Sequence, residues 1–271
     1  MSAAPLAAST WELVGRSATV SLSATAIAMA IGVPAATALA LARFRGRRLV
    51  SAVVNTSMAL PTVVVGLVVA LVLFRGGPLG SLDLIYTVRG MIIAQVLIAV
   101  PLIAGITLAA IQALPPELPE QLRALGANRR QLVVRLWLEA RLPLLAAVMA
   151  GFGHAVSEVG AATIVGGNIH GQTQVLTTAI VEDVGKGDFR PAVAYGAVLL
   201  VLAFVINSLL TSVQQRGAAW ARSSVSTASV IDAAGARCCA SKGSTSRTAS
   251  ASACSASTVP AKPACCDCSP P

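Results

Sequence analysis

The 271-residue chain is 55% hydrophobic and only 11% charged, far below the quarter or so of charged residues usual in soluble domains, which excludes a water-soluble globular fold. Its formal net charge is +9, but aromatic residues to stack bases are few and the basic residues fall in short loops rather than on one face, so nucleic-acid binding is set aside. All six cysteines follow Arg237, so disulfides do not hold the apolar body together.

In chain order, the amino end MSAAPLAASTWELVGR has no basic run ahead of its first apolar stretch and no small-residue cleavage site. No removable signal peptide is expected; the first span acts as its own insertion signal. Nothing is charged between Arg16 and Arg43, from Leu49 to Phe74, from Gly90 to Pro116, or from Pro191 to Gln215. Each window is long enough for the ~20 apolar residues that cross a bilayer. A further span is expected from about Pro143 to Ile164, in a stretch whose single charge is Glu158 and which turns Gly-rich at Gly166-Gly167-Asn168. Backbone facing lipid must satisfy its own hydrogen bonds, so the five spans are helices and the fold class is an all-α membrane protein. Small residues recur through them, as in Ser21, Ser23, Ala24, Thr25, Ala28 and Gly32, where helices pack closely in lipid. Pro34, Pro61 and Pro101 fall inside spans, where each is expected to kink its helix.

Loop charge sets the expected orientation. The loop after the first span carries Arg43, Arg45, Arg47 and Arg48 without an acid, and the loop after the third carries Arg123, Arg129, Arg130, Arg135 and Arg141. Both are expected to be cytoplasmic, with the amino end outside and the carboxyl end inside. The weakly charged loops, with Arg75, Asp83 and Arg89 in one and Glu182, Asp183, Lys186, Asp188 and Arg190 in the other, then face outward. Residues 11–216 form the membrane domain. Residues 217–271 turn to Ser, Ala, Thr and Cys with too little apolar surface to order themselves, and are expected to be disordered. The cluster Cys265-Cys266-Asp267-Cys268 lacks a second pair at zinc spacing and a nearby His, so no metal is expected.

The segment PPELPEQLRALGANRRQLVVRLWLEARLP, between the third and fourth spans, is long, charged and helical in pattern. Pro115, Pro116 and Pro119 end the preceding helix, and Glu120 opens a new one, where a negative charge suits the helix dipole. Leu122 and Leu125, then Leu132, Val133 and Leu136, form apolar stripes on either side of a break at Gly126-Ala127-Asn128. Two short amphipathic helices on a membrane face fit an interfacial anchor as well as a docking element. The spacing from Glu120 to Gly126, followed by Leu136 and Leu138, resembles the coupling-loop signature of ABC importer permeases. That signature reads glutamate-alanine-alanine, three residues, glycine, nine residues, isoleucine-x-leucine-proline; here Gln121-Leu122 replaces the alanine pair and Glu139 the proline. The resemblance implies that Glu120, Leu122, Ala124, Leu125, Gly126 and Ala127 dock into a cytoplasmic ATPase subunit. Glycine at the turn permits positive φ and a close approach to that partner.

A second run, GHAVSEVGAATIVGGNIHGQTQVLTTAI, resembles the oxyanion permeases of that family and is most similar to those carrying tungstate or molybdate. The resemblance spans Trp11 to Gln215. It marks Glu158, Gly160, Gly166, Gly167 and Asn168 as candidates for the outer mouth or gate. An acid inside a span is a functional suspect by default, but its sign is wrong for holding an oxyanion. Counted from Pro143 at ~1.5 Å per residue, Glu158 lies about 22 Å along its span, toward the outer side. There it is expected to brace the Gly-rich loop through backbone hydrogen bonds, with His154 one turn earlier as a possible partner.

No phosphate-binding loop with Lys-Ser/Thr is present, and Ser157-Glu158 has no nucleophile-elbow context, so the chain is expected to be neither an ATPase nor a hydrolase and to hold no cofactor. The resemblance implies a permease in the inner membrane, paired with a second copy of itself, a cytoplasmic ATPase and a periplasmic oxyanion-binding protein. The rivals are the same machine for molybdate, sulfate or another oxyanion, a secondary transporter, or a membrane scaffold. A secondary transporter would show paired ionisable residues or broken helices in two halves; a scaffold would leave the Gly-containing loop unexplained.

Overall fold

The computed structural model describes residues 4–42, 44–212 and 214–215; the expected tail 217–271, with its cysteine cluster, lies outside the described residues. Among the described residues the structure is helices, one 3-10 turn and loops, with no strand. In chain order the helices are α1 (Ala4–Leu41), α2 (Arg47–Ser57), α3 (Thr62–Leu73), α4 (Val88–Gln112), α5 (Leu118–Ala124), α6 (Arg129–Glu139), α7 (Arg141–Ser157), α8 (Gly160–Gly166), α9 (Leu176–Gly185) and α10 (Phe189–Ser212). Three of them, α1, α4 and α10, are long and apolar enough to cross a membrane unaided, and two bent pairs, α2 with α3 and α7 with α8, bring the total to five when each pair is counted as one broken span.

Helix α4 is the hub, packed against α1 and α7 along its length and against α2, α3 and α8 at its flanks. Its contact positions are mostly small: Ala99 and Ile103 meet Ala28 and Val33 of α1 and Ala147 of α7, and Ala104 and Leu108 meet Ala36. Lipid tails are as apolar as these side chains, so burial in itself does not drive the association. Small residues let the backbones approach until dispersion contacts and polar pairs hold them. By contrast, α10 is attached along one face, where Tyr195, Val198, Leu199 and Leu202 pack on Leu13, Leu176 and Ala179. Leu200 and Phe204 on its other side are more than 70% exposed.

The second span differs from the expected kinked helix. Pro34 and Pro101 do lie inside continuous helices, but Pro61 sits before the first residue of α3 with extended backbone, and the chain turns by 100° between α2 and α3. Proline has no N–H to lose and disfavours helix in the residue before it, so it stops α2 and pre-sets α3 instead of bending one helix. At ~1.5 Å per residue the twelve-residue α3 is about 18 Å long, little more than half the hydrocarbon thickness. The fourth span, expected to run from Pro143 to Ile164, is likewise broken, by 58°, at Glu158-Val159.

The two broken spans meet each other. Gly66 of α3 lies so close to α8 that a methyl group on it would sit 2.6 Å from Ala161 Cα, and one on Gly160 would sit 2.6 Å from Val63 Cγ2. The arginine-rich loops also share one end of the bundle. Arg45, Arg47 and Arg48 line a recess with Gln112 at the end of α4, and Arg129 and Arg130 flank Leu41 at the end of α1. Because the obstruction at Gly66 is backbone, Gly66→Ala should lower the apparent Tm of the purified protein, an overpacking loss of about 1–3 kcal/mol. Adding Ala161→Gly should not restore it, and restoration would show that the Ala161 methyl, not the backbone, sets the contact.

Candidate functional site

Two regions hold the candidate residues, one at each end of the bundle. At the arginine-rich end, Pro115 and Pro116 close α4 and the chain turns into α5, with Pro119 and Glu120 in its first turn and Arg123 in its last. Helix α5 buries none of its residues. It stops in a Schellman arrangement: Ala127 N donates to Leu122 O at 3.0 Å and Gly126 N to Arg123 O at 2.9 Å, with Gly126 at φ +79°. A side chain there would meet nothing within 4 Å, so left-handed backbone is what requires glycine, not crowding within this chain. Asn128 then caps α6, its N–H donating to Gln131 Oε1 at 2.8 Å. Leu132 and Leu136 anchor α6 in the body, while Leu125 beside the glycine is 83% exposed. Glu120, Leu122, Ala124, Leu125, Gly126 and Ala127 are thus brought together on one projecting turn.

At the opposite end, α7 terminates at Ser157 and Glu158 is extended, at φ −70° and ψ 127°. The residue is 6% exposed, and its Oε1 accepts from Ala161 N at 2.9 Å, capping the first turn of α8, where the helix dipole favours negative charge. The Glu158 carbonyl accepts from Thr177 Oγ1 at 3.1 Å. The carboxylate therefore braces the break in its own span rather than the Gly-rich loop. A cavity of about 10 Å³ beside it is lined by Ser17, Ser21, Gln95 and Thr177, and Gln95 donates from Nε2 to Ala155 O at 3.3 Å. His154 does not join this cluster. The helix ends between it and Glu158, and its ring lines a separate cavity with Met58, Leu97 and Pro101.

The Gly-rich loop is held by another acid, one that sequence reasoning left among the ordinary loop charges. Glu182 Oε2 accepts from Asn168 Nδ2 and Gln174 Nε2, each at 2.7 Å, and Oε1 accepts from Lys186. The Lys186 hydrogen bond foremost, with help from Asn168 and Gln174, holds the Glu182 carboxyl below its ordinary value against the opposing pull of partial burial. Arg16 adds a second strap, donating to Gln174 O at 3.0 Å and Gly171 O at 2.8 Å. Gly167 at φ +70° packs its bare Cα against Tyr86, and Thr173 Oγ1 donates to Gly166 O at 2.6 Å. Gly166, Gly167 and Asn168 therefore form one fixed turn, while Glu158 and Gly160 stand at the other end of α8. The available signals were polar side chains at unusual places: Gln95 in an otherwise apolar window, and Glu182 four residues before Lys186.

Among the described residues no cluster of three metal-ligating side chains occurs. Five spans built on a hub helix, two of them broken, with a projecting helical turn between the third and fourth, define a membrane transport subunit. The chain belongs to the family described as binding-protein-dependent transport system inner membrane component, which matches residues 28–217. It is an ABC importer permease and a non-catalytic, multi-pass membrane subunit. Relatives include a probable anion ABC transporter permease protein of Haloferax volcanii, 40% identical over 171 residues, covering 61% of this chain and 74% of the relative. A tungstate uptake system permease protein, TupB, of Peptoclostridium acidaminophilum is 42% identical over 174 residues, covering 64% and 76%. Among solved structures, an inward-facing MetNI methionine ABC transporter chain matches with a TM-score of 0.59 at 21% identity, over 80% of this chain and 97% of that one. It shares the fold.

Two outcomes follow from the acids. Glu158→Gln keeps an oxygen for Ala161 N, whereas Glu158→Leu leaves that buried donor unpaired at about 1–3 kcal/mol. Expression-normalised uptake should therefore survive the first change and fail in the second, and equal severe loss in both would reject the bracing role. For Glu182 the folded carboxyl is lowered from 4.5, so its stabilisation is full above that value and disappears as pH falls through the lowered one. Wild type should melt above Glu182→Gln at neutral pH, and the gap should close on acidification; a constant gap would refute the ionised brace.

Proposed function

We propose that this chain is the tungstate-translocating subunit of its importer, working as a homodimer with two copies of a cytoplasmic ATPase and a periplasmic oxyanion-binding protein. The observation that carries the coupling role is α5: a turn stopped at Gly126, anchored through α6, and presenting Leu125 outward, uncovered by the described residues. In this reading the turn from Glu120 to Ala127 seats in the ATPase, and closure of the ATPases on ATP swings the bundle through α6 and α7. The arginine-rich end is then cytoplasmic and the amino end external, as the positive-inside rule implies. Glu158, Gly160, Gly166, Gly167 and Asn168 belong to the outer mouth. A second copy completes the machine in this reading, because a single chain of this size is too small to form a pathway alone. The tungstate assignment is supported by the TupB relative. The broader naming of the Haloferax relative favours a second reading, the same machine for molybdate, sulfate or another oxyanion.

The test is uptake of radiolabelled tungstate by cells expressing the permease, its ATPase and its binding protein. Tungstate should enter and should resist competition by a tenfold excess, on the order of 1.4 kcal/mol of discrimination, of molybdate or sulfate. Uptake of sulfate or molybdate in its place would transfer the machine to that cargo. In the same cells Gly126→Val, a β-branched residue forced to positive φ, should abolish copurification of the ATPase while membrane insertion persists. Normal copurification and uptake would remove the coupling role from this turn whatever the cargo.

A further inference from the structure

Along the outside of α1, facing α6 and α7, runs a groove with no occupant among the described residues. It consists of two cavities of about 440 and 580 Å³ that share Pro34 and Trp137. Met29 and Leu41 mark its limits on α1, and Val133, Trp137, Leu144 and Val148 form the opposite wall. From Met29 to Leu41 is twelve helical rises of ~1.5 Å, which makes the groove about 18 Å long. That is close to one leaflet, half of the ~30 Å hydrocarbon core. Trp137 is fixed on its floor by a hydrogen bond from Nε1 to Thr37 Oγ1 at 2.9 Å.

The chemistry of the groove changes along its length. The half toward Met29 is lined by aliphatic side chains apart from Trp137 and Arg141. The half toward Leu41 ends at Arg129 and Arg130, the first two residues of α6, whose amino-terminal dipole adds positive potential. Arg45, Arg47 and Arg48 lie at the same end of the bundle, around the neighbouring recess. Among the described residues no acid lines either half of the groove. An apolar channel one leaflet deep with a cationic lip fits a molecule that is hydrocarbon at one end and anionic at the other. It fits a second copy of this chain poorly, because the loops of that copy at the same depth are themselves rich in arginine.

We propose that this groove is a binding site for one anionic phospholipid, its acyl chain lying between α1 and the α6–α7 wall against Trp137 and its phosphate held by Arg129 and Arg130. The lipid fills the space between the first span and the helix that continues the projecting α5 turn. Its occupancy therefore sets how firmly α6 is held to α1. This inference needs neither the cargo nor the direction of transport, so it stands or falls separately from the assignment to tungstate.

Trp137 is its own reporter. In the full-length chain carrying Trp11→Phe and Trp220→Phe, Trp137 is the sole indole, since the chain has three tryptophans. The protein in mixed micelles is titrated with phosphatidylglycerol brominated on its acyl chains, or with phosphatidylethanolamine bearing the same chains. The anionic lipid should quench Trp137 at a lipid fraction roughly fivefold lower than the zwitterionic one, the scale set by a basic side chain at an anionic surface. Arg129→Gln with Arg130→Gln should erase that difference. Ala38→Phe, which narrows the groove and leaves both arginines in place, should weaken quenching by both lipids. Glycerol phosphate, the headgroup chemistry without a chain, should not displace the bound lipid at equal concentration. Equal quenching by the two lipids in the protein with arginines intact would reduce the groove to ordinary annular contact and overturn the proposal. Absence of quenching by either would mean that protein covers the groove, and full displacement by glycerol phosphate would make it a simple anion site; both are equally fatal.

Discussion

A peptide group that faces hydrocarbon without a partner in its own chain costs several kcal/mol, so a helix broken within the membrane must find substitutes for the bonds it gives up. This chain breaks two of its five spans and supplies the substitutes differently. At the first break Pro61 presents no N–H at all, and its carbonyl accepts from Val64 N and Val65 N to start α3. At the second, the Glu158 carboxylate takes the Ala161 N–H, and Thr177 donates to the carbonyl left behind. An ionisable side chain buried at the second break is thereby explained by the backbone it serves. The two breaks are then stacked, α3 on α8, so each short helix is shielded by the other.

The same constraint orders the loop beyond α8. Residues 167–175 form no helix, and beside the backbone bonds that Gln172, Thr173 and Gln174 make to the Ile169 carbonyl the loop is tied by side chains: Thr173 to Gly166, Asn168 and Gln174 to Glu182, Arg16 across from α1. Glu182 gathers two amides and an ammonium on one carboxylate, and charge-assisted bonds of this type are roughly twice as strong as neutral ones. At the other end the chain follows an opposite policy. Helix α5 buries none of its residues, so its surface is available to another molecule.

How much of this could be read beforehand depends on what each feature leaves in the residue string. The spans were legible because charge is absent from windows of the right length, and the greater part of α1, α4 and α10 coincides with the windows after Arg16, Gly90 and Pro191, each helix starting a little ahead of its window. The division of the α5–α6 segment at Gly126 was legible too, since glycine between two apolar stripes marks a stop. The breaks were harder. Proline in an apolar window reads as a kink, and only the packing of Gly66 on Ala161 distinguishes a 100° turn from a modest bend. Glu158 and His154 are four apart, which on an unbroken helix would put them together; the helix ends between them, and the pairing goes with it. Glu182 was hidden because its partners Asn168 and Gln174 lie 14 and 8 residues away, and no periodicity connects a loop amide to a later helix.

The contact between α3 and α8 has a mechanical consequence. At Gly66 the backbone of α3 lies directly on Ala161, and at Gly160 only a methyl of Val63 intervenes, so at these two points the helices are too closely packed to slide by fractions of a turn. Long side chains at helix interfaces change rotamer to absorb shear; a glycine has none to change. The half-helices of two different spans thus behave as a single wedge, and any reshaping of the permease has to take place around that wedge, at its joints with α2 and α7.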